Sequence, residues 1–360
     1  MQITSLVTGG AGFIGSHVAR HLLRLNHAVV VLDDLSGGFK ENIPKGVLFM
    51  QGSILDETLI QELFIKHNFD YVYHLAAYAA EGLSHFIRKF NYQNNLIGSI
   101  NLINASVNHG IKHFIFTSSI AVYGEQELPL KETQKPQPED PYGIAKYAVE
   151  MDLKNAQQLF GLDYTIFRPH NVYGPHQNIG DKYRNVVGIF MNQLLKGEAM
   201  TIFGDGNQSR AFTYIDDVAP YIAESPFILN ENNGHPELVE GQTIDADLIT
   251  RNNGLRQAQP DNSFIFNIGA DTETTVNELA AKVANAMQVK PNIKYLEQRE
   301  EVVHAYSDHS KFKEVFNPKP TTSLEDGLAK TAAWIKQHGA RESSTFEDIE
   351  IRKNLPKSWE

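Results

Sequence analysis

The 360-residue sequence contains no cysteine, which excludes disulfide bonds, a thiolate nucleophile and cysteine-ligated metal sites. It opens without the basic segment and apolar core of a signal peptide, and it has no apolar run long enough to span a bilayer. The formal net charge of −11 argues against a broad basic surface for nucleic acid, and the fourteen histidines are scattered. These absences predict a cytoplasmic protein with no nucleic-acid or membrane partner and no metal.

Short apolar runs alternate with helical patterns through the first half of the chain, which predicts an α/β fold. We expect a Rossmann-type, doubly wound parallel sheet joined to a smaller, discontinuous α/β substrate domain. The predicted divisions are a nucleotide-binding domain at 1–174 with a returning strand near 264–269, a substrate domain at 175–230 and 270–340, a mobile insertion at 231–262, and a tail at 341–360.

A glycine-rich loop, TGGAGFIG at residues 8–15, follows a predicted strand and opens a predicted helix. Gly9 or Gly10, with Gly12 and Gly15, gives the spacing of a dinucleotide-binding loop, in which backbone amides and a helix N-terminus hold a pyrophosphate. Asp33 ends the next strand, AVVVL, eighteen positions after Gly15. A carboxylate there accepts hydrogen bonds from the adenosine ribose and repels the extra phosphate of NADP, which favours NAD.

Three polar side chains are spaced for proton transfer. Tyr142 and Lys146 are four residues apart on a helix that begins after Pro141, so both lie on one face. An ammonium beside a phenol stabilises the phenolate and makes tyrosine a usable base. Ser119, at the end of the preceding strand, can hydrogen-bond the same substrate oxygen. We predict that these three residues are catalytic.

The sequence resembles the extended short-chain dehydrogenase/reductases, and among them the nucleotide-sugar 4-epimerases of the UDP-glucose 4-epimerase type. The resemblance rests on the glycine loop, HLAA (74–77), NNLIGS (94–99), SSIAVYG (118–124), YGIAK (142–146) and RPHNVYGP (168–175). It implies that Tyr142 removes the 4-hydroxyl proton of a UDP-sugar while NAD takes the hydride from C4. The resulting 4-keto sugar turns and is reduced on its other face. The resemblance also implies that Lys146 binds the nicotinamide ribose and that Ser119 assists at the 4-oxygen.

The resemblance assigns further residues to each ligand and implies a homodimer formed through two helices per subunit. The cofactor contacts it implies are Gly9, Gly12, Phe13, Ile14, Gly15, Asp33, Ser53, Ile54, Leu75, Ala76, Ala77, Asn95, Thr117, Tyr142 and Lys146. Ser53 stands where the family often has an acidic residue near the adenine, so that contact is altered. The substrate contacts it implies are Ser119, Asn171, Arg210 and Arg299. For Arg184, a contact with a substrate phosphate or carboxylate is the alternative to the favoured interpretation as an exposed loop residue.

Several alternatives stay open within this class. The residue that admits or rejects N-acetylated sugars is Ala305 in one alignment and Tyr306 in another. A UDP-glucuronate 4-epimerase would use the same triad with an added cation. A 4,6-dehydratase or decarboxylase is disfavoured, since Ile120 and Ala121 beside the serine cannot transfer protons. A non-catalytic dinucleotide sensor is disfavoured by the intact Ser119, Tyr142 and Lys146.

Overall fold

A computed structural model describes residues 2–232, 264–298, 304–342, 346–356 and 359. A seven-stranded parallel sheet forms its centre. Its strands are β1 (Thr4–Thr8), β2 (Ala28–Asp33), β3 (Leu48–Gln51), β4 (Tyr71–His74), β5 (His113–Thr117), β6 (Tyr164–Pro169) and β11 (Ile265–Ile268). The spatial order is β11-β6-β5-β4-β1-β2-β3. The order reverses between β1 and β4, and ligands of open parallel sheets bind in the crevice at such a point.

Helices cover both faces of the sheet. They are α1 (Phe13–Arg24), α2 (Glu57–His67), α3 (Glu81–Ser84), α4 (Arg88–Tyr92), α5 (Gly98–His109), α6 (Pro141–Phe160), α7 (Val186–Leu195), α8 (Ala219–Asn232), α9 (Val276–Met287), α10 (Ser310–Phe316) and α11 (Leu324–His338). Alternate strand residues enter two separate apolar cores: Val7 lies in the core with α1 and α8, and Leu6 lies in the core with α2, α5 and α6. The predicted doubly wound sheet is therefore confirmed.

Local signals account for the bounds of the helices that carry the site. Asp140 caps α6 by accepting a hydrogen bond from the Gly143 N–H at 2.9 Å, and Pro141 occupies the first helical position. Gly161 ends the helix in the left-handed conformation, with φ +73°. A π-helical turn at Gln93–Ile97 joins α4 to α5, so that residues 88–109 form one continuous helical run.

The remaining strands in the described part of the chain form three small sheets outside the central one. They are β7 (Val172–Tyr173), β8 (Met200–Phe203), β9 (Ser209–Ala211), β10 (Thr213–Tyr214), β12 (Glu273–Thr275), β13 (Ile293–Leu296) and β14 (His304–Ala305). Their arrangement agrees with a smaller discontinuous domain, although its exact divisions stay a prediction. The predicted insertion lies outside the described residues except for the last two positions of α8. Within the described ranges, no helix combines the length and apolarity needed to cross a membrane.

The C-terminal residues, for which the sequence suggested only a peripheral tail, are packed against the nucleotide-binding half. Leu355 and Trp359 are buried in a small apolar cluster with Ala80, Leu83 and Ile87. The tail has no periodic apolar pattern from which this packing could be predicted.

A buried ion pair joins α6 to β6. The Arg168 guanidinium donates from Nε to Glu150 Oε1 at 2.9 Å, and both side chains are almost fully buried. The Ser118 hydroxyl donates to the same carboxylate, and the guanidinium lies 4.6 Å from the centre of the Tyr123 ring. Sequence reasoning missed this pair, although Glu150 lies one helical turn beyond Lys146.

Arg168→Met should lower the free energy of unfolding by about 3–5 kcal/mol, because it leaves the Glu150 carboxylate buried without its cation. Urea unfolding followed by circular dichroism would measure the loss. The double variant Arg168→Met/Glu150→Gln, which removes both charges and keeps an acceptor for Ser118, should be less destabilised than Arg168→Met. If the double variant lost as much free energy of unfolding as Arg168→Met and Glu150→Gln lose together as single variants, this account would be contradicted.

Candidate active site

The glycine loop lies in the crevice between β1 and β4. Gly9 has φ +71°, and a side chain there would approach the backbone nitrogen of Ala76 to 2.7 Å. A side chain at Gly15 would lie 2.2 Å from the Gly9 carbonyl oxygen. Both positions therefore require glycine for the loop to close against α1 and against the segment after β4. The N–H groups of the first turn of α1, which begins at Phe13, have no intrahelical acceptor and can meet an anion.

Asp33 lies beside this loop at the end of β2. Its Oδ2 accepts a hydrogen bond from the Ala11 N–H at 3.0 Å, and its Oδ1 accepts one from the Leu35 N–H at 2.8 Å. Burial raises the pKa of this carboxyl, and the backbone hydrogen bonds oppose that rise. Each oxygen keeps a second lone pair for a ligand hydroxyl. The loop and Asp33 together fit the pyrophosphate and adenosine ribose of a dinucleotide.

Other predicted cofactor residues line the same edge of the sheet. Ser53 and Ile54 follow β3, and Ile54 is buried against Gly98 of α5. The half-buried segment Leu75–Ala77 follows β4, and the Ala76 N–H donates to the Thr8 hydroxyl at 3.3 Å. Thr117 ends β5.

The side chain of Asn95 hydrogen-bonds other residues of the protein, and its predicted contact with the cofactor stays a prediction. Its side chain accepts from the Tyr78 N–H at 2.8 Å, donates to the Tyr78 carbonyl at 3.1 Å, and donates to Asn91 Oδ1 at 2.7 Å. The amide is thus engaged in holding the loop after β4 in position.

Ser119, Tyr142 and Lys146 converge at the carboxyl end of β5. Ser119 begins a 3₁₀ turn, and its hydroxyl lies close enough to the Tyr142 side chain to lower the pKa of that phenol. Lys146 Nζ donates to the Thr117 carbonyl at 2.8 Å and lies 5.8 Å from the centre of the Tyr142 ring. A side chain at Gly143 would lie 2.5 Å from the Ala121 carbonyl oxygen, so the glycine lets α6 approach the turn that carries Ser119.

Burial opposes the charged forms of both titratable members of this triad. It raises the pKa of Tyr142, whereas the hydrogen bond from Ser119 lowers it. Burial lowers the pKa of Lys146 to about 7, and the nearby Glu150 carboxylate opposes that fall. For Tyr142 to act as a base, the hydroxyl of Ser119 and a protonated Lys146 must outweigh the desolvation of the phenolate.

Backbone contacts that sequence reasoning missed hold Tyr142 in place. The Tyr142 N–H donates to the Ser84 hydroxyl at 3.2 Å. The side chain of Asn91 donates to the Pro141 carbonyl at 2.8 Å. Both contacts come from the segment after β4, and the NNLIGS motif beside Asn91 was the only sequence signal near them.

Two of the predicted substrate residues, Asn171 and Arg210, lie on segments after β6. Asn171 is exposed and left-handed, with φ +42°, at the end of the RPHN segment. Arg210 lies on β9, where it is paired with Ala305 of β14. An ion pair with Asp216 or Asp217 is the alternative to a phosphate contact for this arginine, and Asp217 accepts from the Thr322 N–H at 2.9 Å. Arg299 lies outside the described residues.

Arg184 corrects the expectation of an exposed loop residue. Its side chain is only 21% exposed and is paired with Asp181 at 2.5 Å, and its guanidinium lies 4.9 Å from the centre of the Tyr78 ring. Burial dominates the pKa of Tyr142, and the charge of Arg184 makes a smaller, opposing contribution. Arg184 therefore packs against the segment after β4, the same segment that hydrogen-bonds Tyr142.

Comparisons with known proteins agree with this geometry. Residues 5–225 match the model of the NAD dependent epimerase/dehydratase family. The chain belongs to this family. A putative UDP-glucose 4-epimerase of Methanocaldococcus jannaschii is 33% identical over 92% of this chain and 98% of its own length. The predictions of the family, of NAD as cofactor and of an epimerase-type enzyme are confirmed.

Two solved structures of family members share the fold. The UDP-glucose 4-epimerase of Thermotoga maritima, determined with UDP-glucose, is 34% identical, with a TM-score of 0.78 and coverage of 93% of this chain and 99% of that one. The UDP-N-acetylglucosamine 4-epimerase of Methanobrevibacter ruminantium, in complex with UDP-N-acetylmuramic acid, is 30% identical, with a TM-score of 0.77 and coverage of 94% and 100%. The chain is thus similar to 4-epimerases over nearly its whole length.

Asp33→Asn should raise the affinity for NADP relative to NAD by about tenfold or more, because it removes the charge that repels the extra phosphate. The ratio of the two dissociation constants, measured by calorimetry on NAD-free protein, would show this. Asp34→Asn is the matched control, since Asp34 is exposed and accepts only from the Ser36 N–H at 2.9 Å among the contacts described. An unchanged ratio in Asp33→Asn would mean that the ribose lies elsewhere.

Proposed function

We propose that this protein catalyses the C4 epimerisation of a UDP-sugar, with NAD held as a recycled hydride carrier. The observation that carries the proposal is the convergence of Ser119, Tyr142 and Lys146 at the carboxyl end of β5, close to the glycine loop. The names of the relatives support the same reaction. The cysteine-free composition supports a cytoplasmic location as part of this proposal.

Tyr142 is the proton carrier in the proposed mechanism. It takes the proton of the sugar 4-hydroxyl and later returns a proton to the same oxygen. Ser119 hydrogen-bonds that oxygen, and the Lys146 ammonium favours the phenolate form of Tyr142. NAD, when bound, accepts the C4 hydride and returns it. The 4-keto sugar turns between the two transfers, so the configuration at C4 is inverted with no net redox change.

The residues after Ser119 support epimerisation over dehydration. Elimination of water across C5 and C6 needs an additional acid and base beside the sugar. The neighbouring side chains are those of Ile120 and Ala121, which cannot transfer protons, and the Ala121 N–H donates to the Ser119 hydroxyl at 3.1 Å. The side chains of Ile120 and Ala121 therefore offer the 4-keto intermediate no acid or base for the elimination of water.

The residues predicted to contact the substrate support a nucleoside diphosphate. They also support a small residue at the position that admits or rejects N-acetylated sugars. Asn171 and Arg210 supply an amide and a cation for the diphosphate, and an arginine binds phosphate oxygens in bidentate fashion. Ala305 is buried and paired in register with Arg210, whereas the Tyr306 carbonyl accepts from the Leu130 N–H at 3.0 Å. This arrangement favours Ala305 as the gate, and its small side chain leaves room for an N-acetyl group.

A UDP-glucuronate 4-epimerase is the second candidate, and Arg184 favours it. This guanidinium lies in the cleft near Tyr142, where it can pair with a sugar carboxylate. Its present partner, Asp181, would have to share it or release it.

Incubation of the purified protein with UDP-glucose, UDP-N-acetylglucosamine or UDP-glucuronate tests the function. We expect proton NMR to show the anomeric signal of the 4-epimer from the first two substrates without added reductant. Conversion of UDP-glucuronate alone would select the second candidate. Absence of any epimer, in protein shown to contain NAD, would contradict the proposal.

Two variants serve as controls in the same assay. Tyr142→Phe should lower turnover by about 10²-fold or more while NAD stays bound, because proton transfer is lost and the ring is kept. Arg184→Gln should abolish conversion of UDP-glucuronate only if its charge recognises the carboxylate. A Tyr142→Phe variant with unchanged turnover would refute the assigned base.

We propose that the protein is a homodimer formed through the α5 and α6 surfaces. Ile97, Ile144 and Met151 are exposed apolar side chains on or beside these helices. We expect a mass near twice 40.4 kDa at micromolar concentration by light scattering. Met151→Glu should produce monomers, whereas Ile65→Glu, at an exposed position of α2, should not. A monomeric mass for the unmodified chain would contradict the dimer.

A further inference from the structure

The C-terminal strap, which we define as residues 346–356 with Trp359, crosses the segment between β4 and α5. Trp359 is buried, its ring lies 6.0 Å from that of Phe86, and a side chain at Gly82 would lie 3.2 Å from its edge. Phe346 packs on Phe90, with ring centres 4.8 Å apart. Aromatic contacts of this kind supply packing area and preferred ring geometry.

Hydrogen bonds fix the strap to the start of α4. The Glu350 carboxylate accepts from the backbone N–H groups of Lys89 and Phe90, each at 2.8 Å. These groups belong to the first turn of the helical run 88–109, where intrahelical acceptors are absent. The Phe86 carbonyl accepts from the N–H groups of Glu350 and Ile351 at 2.9 and 3.1 Å. The Glu350 carboxylate and the N–H groups of Glu350 and Ile351 therefore all hold the segment 86–90.

The segment under the strap is the one that holds Tyr142. Asn91, the residue directly after Phe90, donates to the Pro141 carbonyl at 2.8 Å. Ser84, two residues before Phe86, accepts from the Tyr142 N–H at 3.2 Å. A displacement of the 84–91 segment would therefore be transmitted to the backbone of Tyr142 at two points.

The strap also contacts the segment that carries Arg184. The Phe346 N–H donates to the Tyr183 hydroxyl at 3.1 Å, and the Tyr183 and Trp359 rings are 5.3 Å apart. Tyr183 adjoins Arg184, whose guanidinium lies over Tyr78. The strap thus joins the segment after β4 to the segment that carries Arg184 in one apolar cluster.

We propose that the C-terminal strap is a positioning element for catalysis and that Glu350 is its main positioning residue, acting on Tyr142 through Ser84 and Asn91. The proposal deepens the proposed function, because the positioned group is the base assigned there. It gives the last residues of the chain a role in the reaction rather than in core stability alone.

Glu350→Ala should lower kcat by about tenfold with a smaller change in KM, because misplacement of a reacting group acts on the chemical step. The NAD content and the thermal midpoint should stay close to those of the unmodified chain. Glu347→Ala is the matched control: it removes the same charge from an exposed position of the same segment. Glu350→Gln, which keeps one acceptor oxygen, should recover part of the lost kcat.

Hydrogen exchange of the full chain provides a test that does not require turnover, so the failure of this proposal can be told apart from the failure of the proposed function. In Glu350→Ala, peptides covering Tyr78 and Tyr142 should exchange faster, as well as the peptide with Lys89 and Phe90. Faster exchange confined to Lys89 and Phe90, or equal kcat in Glu350→Ala and Glu347→Ala, would overturn the proposal.

Discussion

The buried pair between Glu150 and Arg168 is the interaction on which the arrangement of the cleft depends. Glu150 lies on the helix that carries Tyr142 and Lys146, and Arg168 lies on the strand that leads to Asn171. The pair therefore fixes the catalytic helix relative to the chain segment that faces the substrate. Its charge also acts on Lys146, since the Glu150 carboxylate favours the ammonium against burial. One carboxylate thus serves both the geometry and the electrostatics of the site.

The nucleotide-binding half was predictable because its signals are local. The glycine spacing, the alternating strands and helices and the Pro141 helix start each act within a few residues, and β2 covers the predicted strand AVVVL and ends at Asp33. The position of Asp33 beside the glycine loop was predictable for the same reason, and its contact with the ribose stays a prediction. Ser119, Tyr142 and Lys146 were identifiable as a set because strand end and helix face bring them to one edge of the sheet.

What was missed depends on contacts that are distant in the sequence. Arg184 resembled a loop residue because its neighbours Tyr78 and Gly37 lie more than a hundred residues away. The hydrogen bonds of Asn95 to the Tyr78 backbone were equally invisible, since that loop is placed by the whole fold, and its cofactor contact stays a prediction. Trp359 follows no apolar pattern, since a single aromatic side chain in an irregular segment leaves no periodic trace. Such residues need tertiary structure to be interpreted.

The position of Trp359 has a consequence for the order in which the protein is made. It follows Phe86 by 273 residues and Tyr183 by 176 residues, so its contacts with them can form only after both segments have left the ribosome. The sheet and the dinucleotide loop consist of segments made earlier and can assemble first. A nascent chain would then acquire its cofactor fold before the aromatic packing around the segment that contacts Tyr142 is complete.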